Sequence, residues 1–128
     1  MRKKQNKYGN KKVVRNGMTF DSVHEYERYC ELVLLEKAGL ITELETQKPF
    51  TLIPAQYETY ERYGKNGKRL KDGKRCVERS VVYVADFVYK ENGKTVVEDT
   101  KSDATKTKDF VIKRKLMLWV HNIRIKEI

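Results

Sequence analysis

Two apolar segments joined by a tight-turn signal constrain the fold of this chain more than any other feature. Residues 81–89 are apolar except for Asp86, and residues 95–99 form a second, shorter run that ends in Asp99. An Asn-Gly dipeptide at 92–93 lies between them and is typical of the type I′ turn of β-hairpins. The pattern therefore predicts two antiparallel strands that bring Asp86 and Asp99 close together.

The residues at the end of the second strand favour metal-assisted chemistry. Asp99 and Lys101 are two positions apart, so in an extended strand their side chains share one face. Two carboxylates can hold Mg²⁺ or Mn²⁺, and a lysine beside them can orient or deprotonate a water for phosphodiester hydrolysis. Asp-x-Lys is also compatible with a solvated strand edge. Asp86 fits that second interpretation poorly, because a carboxylate within an apolar strand needs a partner or a metal.

Composition and charge favour a single domain that binds a polyanion. The 128 residues suit one domain, 11–128, preceded by a flexible basic arm, 1–10. No apolar run is long enough to span a bilayer and no signal sequence is recognisable, so we expect a cytoplasmic protein without a membrane partner. The net charge is +10, and the basic residues are concentrated in 2–15, 62–75 and 106–115. Phosphate neutralisation by such clusters predicts nucleic-acid binding.

The candidate DNA-contacting residues come from these three segments. They are Lys7, Lys11, Lys12, Lys65, Lys68, Arg69, Lys71, Lys74, Arg75, Lys106, Lys108 and Lys113.

The first half of the chain predicts a hairpin, a helix and two short strands. Residues 11–20 contain an Asn-Gly turn, and Ser22 with Glu25 three positions on forms a capping-box signature for a helix over 22–38. Strands are predicted at 41–45 and 50–53, with a bend at the proline-containing segment between them.

The second half completes an α+β fold with a mixed sheet. Strands at 57–62 and 76–89 flank a projecting basic loop, 64–75, and a helix at 109–121 leads to a final strand at 122–128. A crossover of this kind places the last strand parallel to its partner. The expected helix core positions are Phe110, Val111, Leu116, Trp119 and Val120.

The order of these motifs resembles the PD-(D/E)XK nuclease superfamily. The resemblance rests on Lys7-Tyr8-Gly9-Asn10-Lys11-Lys12, Phe20-Asp21-Ser22-x-x-Glu25, a Gln47-containing strand, Ala85-Asp86-Phe87, Val97-Glu98-Asp99-Thr100-Lys101 and Phe110-x-x-Lys113. It covers most of residues 7–128 and is closest to small phage-associated members related to Holliday-junction resolvases and to the catalytic domain of the Tn7-type transposition endonuclease. It implies a restriction-endonuclease-like core, Mg²⁺ or Mn²⁺ as cofactor, branched DNA as substrate, a phage or prophage context and a possible homodimer.

The resemblance also implies roles for individual residues. Asp86 and Asp99 would be metal ligands, helped by Glu25 and a backbone carbonyl near Thr100, and Lys101 would be the catalytic lysine. Gln47 and Lys113 would give neighbouring support. Ala85 stands where the namesake motif has proline.

Three alternatives stay open from the sequence. Asp99 shares a face with Lys101, but a β-bulge would exchange it for Glu98 as the ligand. Glu25 can serve as the capping partner of Ser22 instead of a site acid. A non-catalytic DNA-binding accessory module with a nuclease-like fold also explains the charge.

Overall fold

A computed structural model describes residues 12–100 and 106–128 of the chain. These residues form two helices and eight strands. In chain order the elements are β1 (Val13–Arg15), β2 (Met18–Phe20), α1 (Val23–Lys37), β3 (Thr42–Ile53), β4 (Gln56–Tyr63), β5 (Arg69–Glu78), β6 (Val81–Glu91), β7 (Lys94–Asp99), α2 (Lys108–His121) and β8 (Lys126–Glu127).

The first hairpin and helix follow the local sequence signals. Asn16 and Gly17 both have positive φ, at 52° and 77°, as a type I′ turn requires. The Ser22 hydroxyl accepts a hydrogen bond from the Glu25 amide at 3.1 Å, which caps the first turn of α1. Gly39, with φ 77°, follows the last turn. The predicted helix over 22–38 is therefore confirmed to within one residue at each end.

The central sheet is mixed, in the order β3-β6-β7-β8. Strand β6 pairs antiparallel with both β3 and β7, whereas β7 and β8 are parallel. Asn92 and Gly93 form the turn between β6 and β7 with φ of 52° and 76°, so the predicted hairpin is confirmed. The parallel last strand is confirmed as well, although it covers two residues instead of 122–128. Left-handed Asn122 still belongs to the end of α2.

The segment predicted as two short strands is one long edge strand. β3 runs without a break through Gln47 and Pro49, and Pro49 pairs in register with Val84 of β6. An edge strand tolerates proline, because one side of its backbone has no strand to bond. The bend appears instead as positive φ at Glu43 and Gln47, which stay in the strand.

One helix packs on each face of the sheet. Leu32 of α1 packs with Ile41, Phe87 and Tyr89 on one face. On the opposite face, Phe110 and Met117 of α2 lie in a larger cluster, together with Leu52, Tyr83, Ala85, Val88, Val97 and Ile125. The fold is thus α+β, with the sheet between the two helices.

The predicted core face of α2 is partly wrong. Phe110 is buried, but Trp119 is 85 % exposed and Val120 is also exposed, while Met117 is fully buried. A helix of mixed composition leaves its rotation about its axis poorly defined, because apolar residues lie on several sides.

Strands β4 and β5 form a separate two-stranded ribbon. The predicted projecting loop, 64–75, is wrong in its extent, since β5 begins at Arg69. Only residues 64–68 connect the strands, and the Gly64 and Lys68 backbones hydrogen-bond across the turn at 2.8 Å. Basic residues at 69–75 are strand residues of an exposed ribbon.

Neither α1 nor α2, the helices of the described part of the chain, is long and apolar enough to cross a membrane.

Candidate metal and DNA site

Asp86 lies where the regular alternation of β6 breaks. Tyr83 packs on the α2 face of the sheet, whereas Phe87, four residues on, stacks against Tyr29 of α1 on the other face. Strict alternation would put positions 83 and 87 on the same face. The neighbouring strand β3 pairs residue 46 with Phe87 and residue 48 with Ala85, which leaves Gln47 opposite Asp86. The left-handed backbone of Gln47, φ 51°, marks the same irregularity.

Thr100 fixes one oxygen of Asp86. The backbone amide and the hydroxyl of Thr100 each donate a hydrogen bond to Asp86 Oδ2 at 2.9 Å. The other oxygen, Oδ1, lies 3.4 Å from the Gln47 side-chain amide. Asp86 thus joins the end of β7 to β3, and the predicted proximity of residues 86 and 99–100 is confirmed.

The two oxygens of Glu25 have different partners, one at the start of α1 and one on β3. Its Oε2 accepts a hydrogen bond from the Asp21 amide at 2.9 Å, so one oxygen caps the start of α1. Its Oε1 accepts from Gln47 Nε2 at 3.2 Å. Because the same amide nitrogen reaches Asp86, Gln47 bridges the carboxylates of α1 and β6.

The surroundings of Glu25 favour its protonated form. The side chain is only 2 % exposed. Burial, followed by the negative charge of Asp86, raises the pKa of Glu25 from 4.5 to about 7, against the opposing hydrogen bond from Asp21. Glu25 can therefore hold a proton near neutral pH, until a cation favours its charged form.

We expect Glu25→Gln, in EDTA, to flatten the pH dependence of the unfolding free energy between pH 4.5 and 7. Since the pKa of Glu25 is raised on folding, the folded protein binds this proton more tightly than the unfolded chain. This stabilisation, about 3 kcal/mol, is complete below the unfolded-state pKa of 4.5 and is lost as the pH rises through the folded-state pKa of about 7. Urea unfolding at closely spaced pH values measures this slope.

The control is Glu27→Gln, which removes an exposed carboxylate from the same helix. We expect it to keep the wild-type slope. An unchanged slope in Glu25→Gln would contradict the assignment of the raised pKa to this residue.

Asp99 lies at the end of β7 on the α2 face. It is 2 % exposed, and the Tyr83 hydroxyl donates a hydrogen bond to its Oδ2 at 2.5 Å. Burial and this bond to Asp99 both raise the pKa of Tyr83, so the phenol remains a donor at physiological pH. The backbone carbonyl of Asp99 accepts from the amide of Ile128, which ties the strand end to β8.

Glu98 is held on the opposite face. Its two oxygens accept hydrogen bonds from Nε and Nη2 of Arg28, both at 2.7 Å, and the Tyr89 hydroxyl also donates to it. Burial raises the pKa of Glu98, but these hydrogen bonds outweigh burial and lower it overall. Glu98 therefore has an ion-pair partner on α1. Its neighbour Asp99 lies on the opposite, α2 face of the sheet.

The donor atoms of this group suit a hard cation better than a soft one. Glu25, Asp86 and Asp99 offer only oxygen, which Mg²⁺ and Mn²⁺ prefer. Neither Glu25 nor Asp86 has an ion-pair partner within residues 12–100 and 106–128, so a cation would relieve the repulsion that raises the pKa of Glu25. As the side chains stand, however, no set of three or more His, Cys, Asp or Glu in those residues could hold a metal ion. Instead, the carboxylates accept hydrogen bonds from the side chains of Thr100, Gln47 and Tyr83.

Three of the predicted site residues cannot be placed. Lys101, Lys7 and Lys11 lie outside the described residues.

The remaining predicted DNA-contacting residues lie on three parts of the molecule. Exposed Lys12 precedes β1, and half-buried Lys113 lies on α2. Lys106 and Arg114 contact Glu127 at 3.0 and 3.6 Å, so Lys106 is partly neutralised. Exposed Lys108 begins α2. The other six belong to the β4–β5 ribbon: Lys65, Lys68, Arg69, Lys71, Lys74 and Arg75.

Sequence reasoning missed Tyr83 and Arg28. Regular alternation places Tyr83 on the face opposite Asp86, so only the irregularity in β6 explains its contact with Asp99. Arg28 is separated from Glu98 by seventy positions along the chain. A buried tyrosine hydroxyl does require a partner, but this rule does not identify the partner.

These features define the class of protein as an α+β protein with an acidic group, Glu25, Asp86 and Asp99, where β7 ends in a mixed sheet, and with an exposed basic ribbon. Residues 5–126 match the family described as "Protein of unknown function (DUF1064)", and the chain belongs to that family. No curated protein and no solved structure matches the chain significantly.

Proposed function

We propose that the protein is a Mg²⁺- or Mn²⁺-dependent endonuclease that hydrolyses phosphodiester bonds in DNA. The observation that carries the proposal is the link from Glu25 through Gln47 to Asp86, which joins carboxylates of a helix and a central strand. Asp99 adds a third carboxylate, which is buried like that of Glu25, whereas Asp86 is half-buried; the charge of Asp99 also raises the pKa of Glu25. Folded proteins avoid collecting buried like charges without a function that needs them.

The residues of the proposed site would have different roles. Asp86 and Asp99, with Glu25, would hold the cation, and Thr100 and Tyr83 would orient the two aspartates through their hydrogen bonds. A bound divalent cation would polarise the scissile phosphate and lower the pKa of water. By its resemblance to the PD-(D/E)XK motif, Lys101 would orient the attacking water and balance the developing negative charge.

Protonated Glu25 suggests how the site exists without a cation. With a pKa of about 7, the Glu25 carboxyl can hold a proton at neutral pH, which removes its charge repulsion with Asp86. Binding of a cation would release this proton, because the charged carboxylate is the ligand.

The resemblance to resolvases makes branched DNA the preferred substrate and a homodimer the expected state. Two paired cuts resolve a four-way junction, so each subunit would make one. Light scattering of the protein on junction DNA measures the subunit number, and a monomer on DNA would favour a nicking activity instead.

The deciding experiment is a cleavage assay on a labelled four-way junction, the matching duplex and the single strand, each with Mg²⁺, Mn²⁺ or EDTA. We expect cleavage with either metal, none with EDTA, and loss of cleavage in Lys101→Ala. The matched control is Lys94→Ala, which removes an exposed lysine from the other end of β7. Tight binding of DNA without cleavage in any metal would overturn the nuclease and favour the non-catalytic accessory module.

A further inference from the structure

The β4–β5 ribbon is exposed on both of its faces. Its two strands pair only with each other in the sheet arrangement, and every residue of both strands except Gly73 is exposed. A two-stranded ribbon without a packed face is marginally stable by itself. Its stability must therefore come from cross-strand contacts and from the sheet to which it is attached.

Tyrosine and arginine side chains stiffen the ribbon. Tyr60 pairs with Gly73, and its ring lies so close over the glycine that a β-carbon there would be 2.3 Å from it. The guanidinium of Arg75 covers the same ring at 4.6 Å and forms an ion pair with Glu58 at 2.7 Å. Such covering of a strand glycine by an aromatic ring restores packing that glycine lacks.

The ribbon continues β3 and β6, and β6 carries Asp86. Ile53 of β3 pairs with Val81 of β6, and Gln56 of β4 pairs with Glu78 of β5 in the same register. β7 ends at Asp99, whereas β3 and β6 extend past that point toward the ribbon. The ribbon thus leaves the sheet beyond the end of β7, where Asp99 lies.

The positive charge of the ribbon is concentrated toward its tip. Three of the four acids of these strands contact arginines: Asp72 and Glu61 contact Arg69 at 2.7 and 4.0 Å, and Glu58 contacts Arg75, whereas Glu78 lies at the base of the ribbon. Four cations in or beside the turn have no ion-pair partner in the described part of the chain, and they are Arg62, Lys65, Lys68 and Lys71.

We propose that this ribbon lies in the major groove of duplex DNA, on one side of the cut made by the acidic group. The major groove admits a two-stranded ribbon, and the eight residues of β4 span roughly 25 Å, the length of most of a helical turn of DNA. The tip lysines contact phosphates, while the body of the protein binds at the cut. The position of the cut rests on the proposed function, but binding in the groove does not.

The experiment measures binding of labelled duplex in EDTA, where no cleavage occurs, across a series of salt concentrations. The variant replaces Lys65, Lys68 and Lys71 with glutamine. We expect affinity to fall at least about tenfold and the slope of log affinity against log salt to decrease by about 3, close to one unit per lost phosphate contact. The matched control changes three exposed lysines away from the ribbon to glutamine, Lys37 at the end of α1 and Lys90 and Lys94 beside the turn between β6 and β7, and should bind as wild type.

Two experiments with the wild-type protein test whether it binds the major or the minor groove, one with a modified duplex and one with a minor-groove ligand. Glucosylated hydroxymethylcytosine fills the major groove and should weaken binding, whereas netropsin fills the minor groove of A·T-rich duplex and should not. The reverse pattern would overturn the proposal, and so would wild-type affinity in the ribbon variant or binding of polyglutamate in preference to DNA. A wild type that binds through the ribbon but never cleaves would contradict the nuclease alone, so the two proposals fail separately.

Discussion

Asp86→Asn and Asp99→Asn should each lower Mn²⁺-dependent DNA cleavage by a factor on the order of 10³ or more, because each removes one charge from the site at almost constant shape. Asparagine keeps an oxygen that can accept from Thr100 at position 86 or from Tyr83 at position 99. The fold should therefore survive, and the loss should reflect the missing ligand charge.

Calorimetric titration with Mn²⁺ separates loss of the cation from loss of later steps. We expect the binding heat to disappear in both variants, with DNA affinity in EDTA unchanged or raised, since a negative charge near the phosphates is removed. Glu91→Gln is the matched control, because it removes an exposed acid from the far end of β6. Full cleavage in both aspartate variants would contradict the assignment of the site.

Tyr83→Phe extends this test to a positioning residue. The substitution removes the hydroxyl that orients Asp99 without removing a ligand. We expect Mn²⁺ affinity to fall about 10- to 100-fold, which is typical for partners of metal ligands. A purely structural role for Tyr83 would leave Mn²⁺ affinity at the wild-type value.

Arg28→Met should destabilise the protein by about 3–5 kcal/mol at neutral pH, the typical cost of removing one partner of a buried ion pair. Glu98 has no exposed surface and accepts two hydrogen bonds from Arg28, so the variant leaves its charge buried with only the Tyr89 hydroxyl as a donor. Urea unfolding measures the loss.

The stability difference between Arg28→Met and the wild-type protein should depend on pH. In the wild-type protein, folding lowers the pKa of Glu98 below its unfolded value of 4.5. Charged Glu98 therefore stabilises the fold above pH 4.5, and this stabilisation is lost as the pH falls through the pKa of the folded state. In Arg28→Met the carboxylate has lost the partner that lowers its pKa. We expect acid to reduce the difference between variant and wild type.

Two further variants isolate the buried pair. Glu31→Gln removes the exposed partner of Arg28 and should cost less than about 1 kcal/mol. Replacing Arg28 and Glu98 together with methionines should recover much of the stability, since neither charge is then buried alone. A loss in Glu31→Gln as large as in Arg28→Met would contradict the importance of the Glu98 contact.

Local signals in the sequence were sufficient for the turns, the first helix and the pairing of the two acidic strands. The Asn-Gly pairs at 16–17 and 92–93 adopt positive φ at both residues, and Ser22 caps its helix through Glu25, three residues away. Where several apolar residues compete, as around Trp119, the local pattern failed, because it does not fix which side of the helix meets the sheet.

The amino-acid sequence by itself determined which acids belong to the predicted site and that the chain is strongly basic, since both follow from residue identity and strand periodicity. Only the tertiary structure decided that Glu98 pairs with Arg28, that Gln47 bridges Glu25 and Asp86, and that the basic segment is an exposed ribbon. Each of these depends on residues far apart in the chain or on one irregular position in a strand. Periodicity describes neighbours along a regular element, so it has no information about a break in that regularity or about the element across from it.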